Sequence, residues 1–379
     1  MASIHRRSRA AKDGKAQYSY IVMWDDPSGA PKSKTFRLQK DAKVFKAEIE
    51  RSLNRGTYID PHAGKIPFRE YAATWLAGKE VSKRDSTVKA YRNALDSRIL
   101  PTLGDLPLHT VQRSQVQDLV NALNASHEPR TVRHTYTIVA GIFRRAVTDD
   151  LIGRSPCRSI ELPPVKDDEF VPLTAEQVNT LADAIEPRYR AMVITAVGTG
   201  MRWSELAGLT VDRVDFLRRT LRVDRQLKRD STELVPPKTA KSVRTLPLPQ
   251  YVIDALAVHI AKYGAGPDGH VFSTSRKTVL RYTNFRRRVW DAAIEKAEDI
   301  PADTTFHDLR HAYASLLISA GLSPKIIQVR MGHDSITTTM DTYGHLYPES
   351  EDATRAAIDE VFRPEVDEKL TGRSLKLAA

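Results

Sequence analysis

Cysteine is almost absent from this chain. Cys157 is the only one in 379 residues, so neither an intrachain disulfide nor a multi-cysteine zinc site can form. A lone thiol fits a reducing cytosol. Long apolar runs are missing too, and nothing approaches the roughly 18 to 20 residues that a membrane-spanning helix needs. The opening MASIHRRSRAAKDGK has positive charge but no apolar stretch behind it, which is not the pattern of a secretory signal. There is no P-loop, no EF-hand loop and no internal repeat. These absences turn attention away from secreted, membrane and nucleotide-hydrolysing proteins.

What is present is a basic globular chain. Apolar residues make up 41%, enough for real cores, and the length predicts two or three domains. The formal net charge is +11. Such an excess favours a polyanionic partner, most often nucleic acid, over the blander alternative of a solvated basic surface.

In order, the chain predicts a mainly α protein with small β-sheets. Residues 1–56 read as a β-sheet-plus-helix module. Tyr18, Tyr20, Val22 and Trp24 alternate as a strand, Asp26-Pro27-Ser28-Gly29 is a turn, and Lys34–Leu38 can pair back. A helix over Asp41–Asn54 carries Ala42, Phe45, Ile49 and Leu53. Arg6, Arg7, Arg9, Lys12 and Lys15 precede the first expected strand as a basic arm. So small a piece suits a DNA-contacting appendage better than a catalyst. After a linker at 57–65, residues 66–160 predict a helical bundle. Ser86 is expected to cap its second helix, and Ser114 with Gln117 to form a capping box on its third. Lys83, Arg84, Arg130 and Arg133 are candidate DNA contacts on it. A second linker, 162–171, leads to a mixed α/β domain over 172–362. There Thr174 and Gln177 form a capping box, and strands are expected at Leu217–Leu227 and Val243–Leu248 with Lys238 between them. Helices follow at Gln250–Tyr263, Asn284–Ala297, His307–Ala320 and Ser323–Met331. The tail, 363–379, has little pattern.

The stretch His307–Tyr347 concentrates the chemistry. It holds His307, Arg310, His311, His333 and Tyr343, an odd set for a core. A phosphodiester transition state spreads negative charge over oxygens, and arginine forks neutralise it well. Arg202 and Arg310 are suited to that. A tyrosine hydroxyl has a pKa near 10, so Tyr343 needs a base, for which His307 is the natural candidate, while Lys238 can protonate a departing oxygen. His307 and His311 also share the i, i+4 spacing of a zinc protease. Asp308 stands where that signature has glutamate, and Arg310 would repel the metal, so the zinc reading carries little weight.

These segments resemble the tyrosine recombinases of the phage-integrase type. TGMRWSEL around Arg202, PPKTAKSVRTLPL around Lys238, HDLRHAYAS around His307 and Arg310, MGH at His333 and DTYGHLY around Tyr343 occur in the family's order. Met331 replaces the usual leucine, a mild apolar swap. The resemblance implies an arm-binding module at 1–56, a helical core-binding domain at 66–160 and a catalytic domain at 172–362. It implies that Arg202 and Arg310 clamp the scissile phosphate and that Lys238, with Lys241 as its rival, protonates the leaving 5′ oxygen. His307 assists proton transfer, His333 hydrogen-bonds the phosphate and Glu205 supports the site. Tyr343, rather than Tyr347, forms a 3′-phosphotyrosine link. Neither a cofactor nor a metal is implied. The partners implied are double-stranded attachment-site DNA, three further copies of the chain at a Holliday junction, and a host DNA-bending factor and an excision factor. The place implied is the cytoplasm of a bacterium. A resident chromosomal recombinase, a type IB topoisomerase and a DNA-binding regulator that has kept the fold are the alternatives.

Overall fold

Alternation and capping account for most of the local structure. The computed structural model describes residues 2–10, 16–60, 63–165, 170–228, 231–237, 239–347 and 351–362. The chain divides into two units, Met1–Asp168 and Glu169–Ala379.

The first unit opens with an antiparallel sheet of β1 (Ser3–Ala10), β2 (Ala16–Asp25) and β3 (Pro31–Phe36), in that order. Helix α1 (Gln39–Asn54) covers it. Val22 and Trp24 from β2 are buried with Ala42 and Ile49 from α1, and Phe45 meets Trp24 edge-on at 5.4 Å. The Trp24 indole N–H donates to the Tyr58 hydroxyl at 2.8 Å, which satisfies the polar end of a buried ring. The alternating strand is therefore where the pattern places it, although Tyr18 is 46% exposed and stands outside the core. The basic arm is not an arm, however. Arg6, Arg7 and Arg9 lie within β1, opposite Tyr20, Ser19 and Gln17. SIHRRSRA lacks apolar alternation, so no side-chain signal announces this strand, and its backbone pairing with β2 holds it instead. Arg6 rests over the Tyr18 ring at 4.8 Å. The Arg9 side chain, Lys12 and Lys15 lie outside the described residues.

A helical bundle follows. It comprises α2 (Phe68–Glu80), α3 (Asp85–Ala94), α4 (Leu100–Leu103), α5 (Arg113–Asn124) and α6 (Pro129–Thr148). Residues Leu95–Ile99 continue α3 into α4 as a widened π turn. Phe68, Trp75, Ile99, Val116, Val132, Val139 and Phe143 fill the core. Two expected caps are displaced. Ser86 lies inside α3, which starts after Arg84. The third helix starts before Ser114, and Gln115 Oε1 accepts from the Gln112 N–H at 2.8 Å. A cap needs an extended backbone, which Gln112 has and Ser114 does not. Lys83, Arg84 and Arg130 are exposed. Arg133 is exposed too, but its Nε donates to the Pro163 carbonyl at 2.8 Å and so ties down the chain leaving the bundle.

The second unit begins with α7 (Ala175–Ala184), where the expected box forms. Gln177 N–H donates to Thr174 Oγ1 at 3.2 Å, and Gln177 Oε1 accepts from Thr174 N–H at 2.9 Å. Helix α8 (Arg190–Thr199) is apolar all round and is correspondingly buried from Ala191 to Ala196. It ends at Gly200 and gives way to α9 (Trp203–Ala207). Next come β4 (Val214–Asp215), β5 (Thr220–Val223), β6 (Gln226–Leu227), β7 (Leu234–Val235) and β8 (Arg244–Pro247). They make a sheet in the order β4-β5-β8 and a separate β6-β7 pair. The long strand expected at Leu217–Leu227 starts only at Thr220, after Arg219 takes a left-handed φ of 52°, and it is interrupted at Asp224 and Arg225, between β5 and β6. Helices α10 (Gln250–Tyr263), α11 (Tyr282–Phe285), α12 (Asp291–Lys296), α13 (Asp308–Ser319), α14 (Pro324–Met331), α15 (Ile336–Tyr343) and α16 (Glu351–Phe362) complete the fold.

Met192, Leu206, Leu221, Leu246, Leu256 and Leu309 belong to the main core of this unit. A smaller cluster gathers Tyr313, Ile318, Ile327, Met331 and Tyr343 from α13, α14 and α15. Helix α15 carries four threonines, weak helix formers, and is not legible as a helix. Ser335 Oγ caps it, accepting from the Thr338 N–H at 3.2 Å. Residues 363–379 lie outside the described residues. Among the described residues no helix is long and apolar enough to cross a membrane.

Gly200 joins the two cores. Its φ is +64°, and a Cβ there would meet the Tyr313 ring at 2.3 Å. Gly200→Ala should therefore lower stability by at least about 2 kcal/mol, from left-handed strain and overpacking together. Urea denaturation of the two proteins measures it, and an unchanged midpoint would contradict the packing described.

Candidate active site

The site is built on a buried carboxylate. Glu205 sits in the first turn of α9 with its side chain 1% exposed. Arg244, from β8, reaches it with both terminal nitrogens, Nη1 to Oε1 at 3.1 Å and Nη2 to Oε2 at 2.9 Å. This is the two-pronged geometry that suits guanidinium and carboxylate. The same carboxylate accepts from the Arg202 N–H at 2.9 Å and from Arg202 Nη1 at 3.0 Å. Glu205 therefore starts the helix and orients the arginine before it. Arg244 has further partners: Nε donates to the Arg330 carbonyl at 2.8 Å and Nη1 to the Ser242 carbonyl at 2.9 Å. It ties the sheet to the end of α14, just ahead of His333.

Arg310, in the first turn of α13, is 2% exposed. Its Nη1 donates to the carbonyl of Gly200 and its Nη2 to that of Met331. The turn after α8 and the end of α14 thus converge on one guanidinium. Gly332, at φ +62°, follows and turns the chain into His333. His333 Nδ1 pairs with Thr339 Oγ1 at 2.9 Å, and its ring lies parallel to that of Tyr343, centroids 6.3 Å apart. Tyr343, the last residue of α15, is 1% exposed. Its hydroxyl lies 2.9 Å from His311 Nδ1. His307, one turn before His311, meets that ring edge-on at 4.8 Å.

The electrostatics follow from three guanidinium groups around one carboxylate. Burial alone would raise the Glu205 carboxyl, but Arg244, and then Arg202 and Arg310, bring it down to about 2. Burial and the nearby Arg202 bring Arg310 down to about 9, against the pull of Glu205. Loss of water and the surrounding cations hold His307 at about 4 and His333 at about 3, so both rings are neutral at pH 7. Burial raises Tyr343 to about 12, while Arg310 and Arg202 oppose the rise. The arrangement is a cationic seat beside a protonated tyrosine and neutral imidazoles. That set can hold an anionic oxygen cluster and present a nucleophile to it.

The chain matches the phage integrase family over residues 172–350 and the phage integrase central domain over residues 68–162. The integrase of Mycobacterium phage D29 is 27% identical over 342 residues, spanning 86% of this chain and 88% of that one. The Tn1549 transposon integrase, solved in complex with transposon right end DNA, superposes with a TM-score of 0.65 at 25% identity. The match covers 79% of this chain and all of that one. The chain belongs to the phage integrase family. It is a tyrosine recombinase, a site-specific enzyme of DNA cleavage and religation. The lambda integrase tetramer bound to a Holliday junction shares the fold, with a TM-score of 0.59 at 18% identity over 87% of this chain and 96% of that one.

In the recombinase, Arg202, Glu205, His307, Arg310, His333 and Tyr343 all stand in the second unit and act electrostatically on one another. Lys238 lies outside the described residues. Lys241, its rival, donates to the Asp334 carbonyl at 2.6 Å. Tyr347, the other tyrosine considered, packs against the Tyr343 cluster, and its buried hydroxyl has no hydrogen-bond partner among the described residues. Two site residues escaped the sequence reading. Arg244 lies inside the VRTLPL strand, where a buried arginine breaks the apolar alternation; that break was its signal. His311 was counted in the cluster and weighed as a metal ligand but was given no role towards Tyr343, although its i, i+4 relation to His307 places both on one side of the start of α13.

Two measurements test this arrangement. Arg244→Met keeps the side chain's bulk but leaves Glu205 without its main partner in the interior. It should cost about 3–5 kcal/mol, read from denaturant unfolding; a loss below about 1 kcal/mol would mean that Glu205 is adequately held by Arg202. Stability should also fall in acid. His307 and His333 protonate near their ordinary pKa of about 6.5 when unfolded but resist it when folded. The unfolded state thus takes up more protons as pH drops below about 6.5, and stability is lost progressively towards the folded values. Glu205 adds a further loss as pH falls from the ordinary carboxylate range towards about 2. Urea midpoints at pH 7.5, 5.5 and 4.5 should decline in that order, and the decline should be shallower in a His307→Asn, His333→Asn double variant.

Proposed function

We propose that the recombinase is the integrase of a phage or other mobile element of a bacterium, and that it cuts DNA through a 3′-phosphotyrosine intermediate. The observation that carries this reading is a buried Tyr343 hydroxyl beside the Arg310 and Arg202 guanidinium groups, with neutral histidines on both sides. Arg202 and Arg310 bind the non-bridging oxygens of the scissile phosphate, and His333 hydrogen-bonds one of them. Tyr343 Oη attacks phosphorus as its proton passes into the imidazole cluster to which His307 belongs. The bond from phosphorus to the 5′ oxygen breaks, and Lys238 protonates that oxygen. The phosphotyrosine keeps the ester energy, so a 5′ hydroxyl from another duplex reverses the step without ATP. Glu205 supports the seat through Arg202.

The division of labour follows. Residues 1–56 serve as an arm-type DNA-binding module with Arg6, Arg7 and Arg9 on its first strand. Residues 66–160, with Lys83, Arg84, Arg130 and Arg133, bind the core site. Residues 172–362 carry the chemistry, and 363–379 form a C-terminal tail. Four copies assemble on two duplexes and pass through a Holliday junction, a reading supported by the shared fold of the lambda integrase tetramer bound to a Holliday junction. A host DNA-bending factor and an excision factor set direction, and the work takes place at the nucleoid in the bacterial cytoplasm. Affinity resides mainly in phosphate contacts.

The test uses a nicked duplex from the attachment region of the element. Tyr343→Phe should bind it with unchanged affinity and form at least about a hundredfold less covalent adduct. Cleavage by the unmodified chain should persist in EDTA, because arginines supply the charge neutralisation. An adduct in Tyr343→Phe would sink the assignment of the nucleophile, and loss of cleavage in EDTA would sink the arginine-only account.

A further inference from the structure

The proton on Tyr343 has a nearer acceptor than the histidine of the His-x-x-Arg motif. His311 Nδ1 lies 2.9 Å from Tyr343 Oη, within direct hydrogen-bond reach. The two rings meet edge-on at 5.6 Å. Both residues are anchored. His311 sits in the first turns of α13, between the Phe170 ring at 4.4 Å and the His307 ring at 4.8 Å. Tyr343 ends α15 inside the small core cluster. His307, by contrast, stands at the N-terminal end of α13 as a residue partly open to solvent although its ring packs against His311, where an incoming phosphate or 5′ oxygen would meet it.

We propose that His311 is a catalytic residue of this recombinase, taking the proton from Tyr343 Oη during cleavage and returning it during rejoining. This assignment rests on Tyr343 being the nucleophile, as proposed above. The groups that set the charge of His311 are Asp308 and Arg310 on its own helix, with His307 beside it and Tyr343 across from it. Burial lowers its pKa, Asp308 opposes this and Arg310 adds to it, leaving a neutral ring able to accept a proton. In the step, the Oη–H bond breaks and its proton moves to Nδ1, giving an imidazolium. The oxygen's electron pair forms the Oη–P bond. The bond from phosphorus to the 5′ oxygen breaks, and that oxygen leaves with its pair and takes a proton from elsewhere in the site. In rejoining, a 5′ hydroxyl attacks phosphorus, Oη departs and His311 returns the proton. His307 is then freed to act on the phosphate or the 5′ oxygen.

Two duplexes separate the roles. One carries the ordinary phosphodiester at the nick-proximal cleavage site, and the other has sulfur in place of the 5′ bridging oxygen. The sulfur leaves as a thiolate and needs no proton, so defects in the leaving-group acid are relieved and defects in the base are not. His311→Ala should slow adduct formation by about 10²–10⁴-fold on both duplexes, with DNA affinity and the melting curve unchanged. His311→Asn should be as slow, because an amide can hold the hydroxyl but cannot take its proton. Rates within about threefold of the unmodified chain for either variant, or rescue of His311→Ala by the sulfur duplex, would overturn the assignment. Should the unmodified chain form its adduct elsewhere than Tyr343, the reading of the nucleophile fails instead, and mapping the linked residue tells the two failures apart.

Discussion

The interior pair between Glu205 and Arg244 is the constraint on which the site depends. A carboxylate so buried is tolerable only when its lone pairs are filled and its charge is met. Arg244 supplies two bonds and most of the opposing charge, and Arg202 supplies the rest. In return Glu205 fixes the backbone and the guanidinium of Arg202 at the start of α9. Arg244 also holds the Arg330 carbonyl, so the same pair sets where α14 ends and where His333 begins. One ion pair thus aligns the sheet, the short helix and the Met-Gly-His turn.

With Arg310 included, three guanidinium groups face one carboxylate. The excess positive charge is unfavourable in a protein interior, and two backbone carbonyls, those of Gly200 and Met331, only partly offset it for Arg310. The scissile phosphate proposed as their ligand supplies the negative charge that completes such a balance. The same cations act on Tyr343. Burial drives its hydroxyl upward, and Arg310 and Arg202 restrain it at about 12. Tyr343 is therefore protonated at rest, and the role of nucleophile proposed for it requires that proton to leave. Its activation calls for a nearby acceptor, and neutral imidazoles stand beside it because loss of water and neighbouring cations disfavour their charged forms.

Much of this was legible in the residues. The Thr174–Gln177 box, the all-apolar α8 and the alternating strand over Val22 and Trp24 are local patterns whose physics acts within a few positions. Elements without such patterns were not. Strand β1 is polar and exists through its pairing with β2. Helix α15 is rich in threonine and is held by a serine cap and by burial of Tyr343. The caps expected at Ser86 and Ser114 failed because the backbone there is already helical. In the first unit Arg133 proved to be tied to Pro163, a contact that helix position alone does not announce.

The sequence by itself determined the chemical inventory: two arginines, a lysine, two histidines and a tyrosine in recognisable frames, hence the family and the class of reaction. It could do so because those frames are contiguous short stretches with specific residue types. Only the tertiary structure decided which groups touch. That Arg244 rather than a residue near Arg202 neutralises Glu205, and that His311 rather than His307 meets the Tyr343 hydroxyl, depends on contacts between residues 32 and 39 positions apart. Hydrogen bonds and desolvation act over a few ångströms of space, and spacing along the chain does not specify that distance until helices and strands have packed.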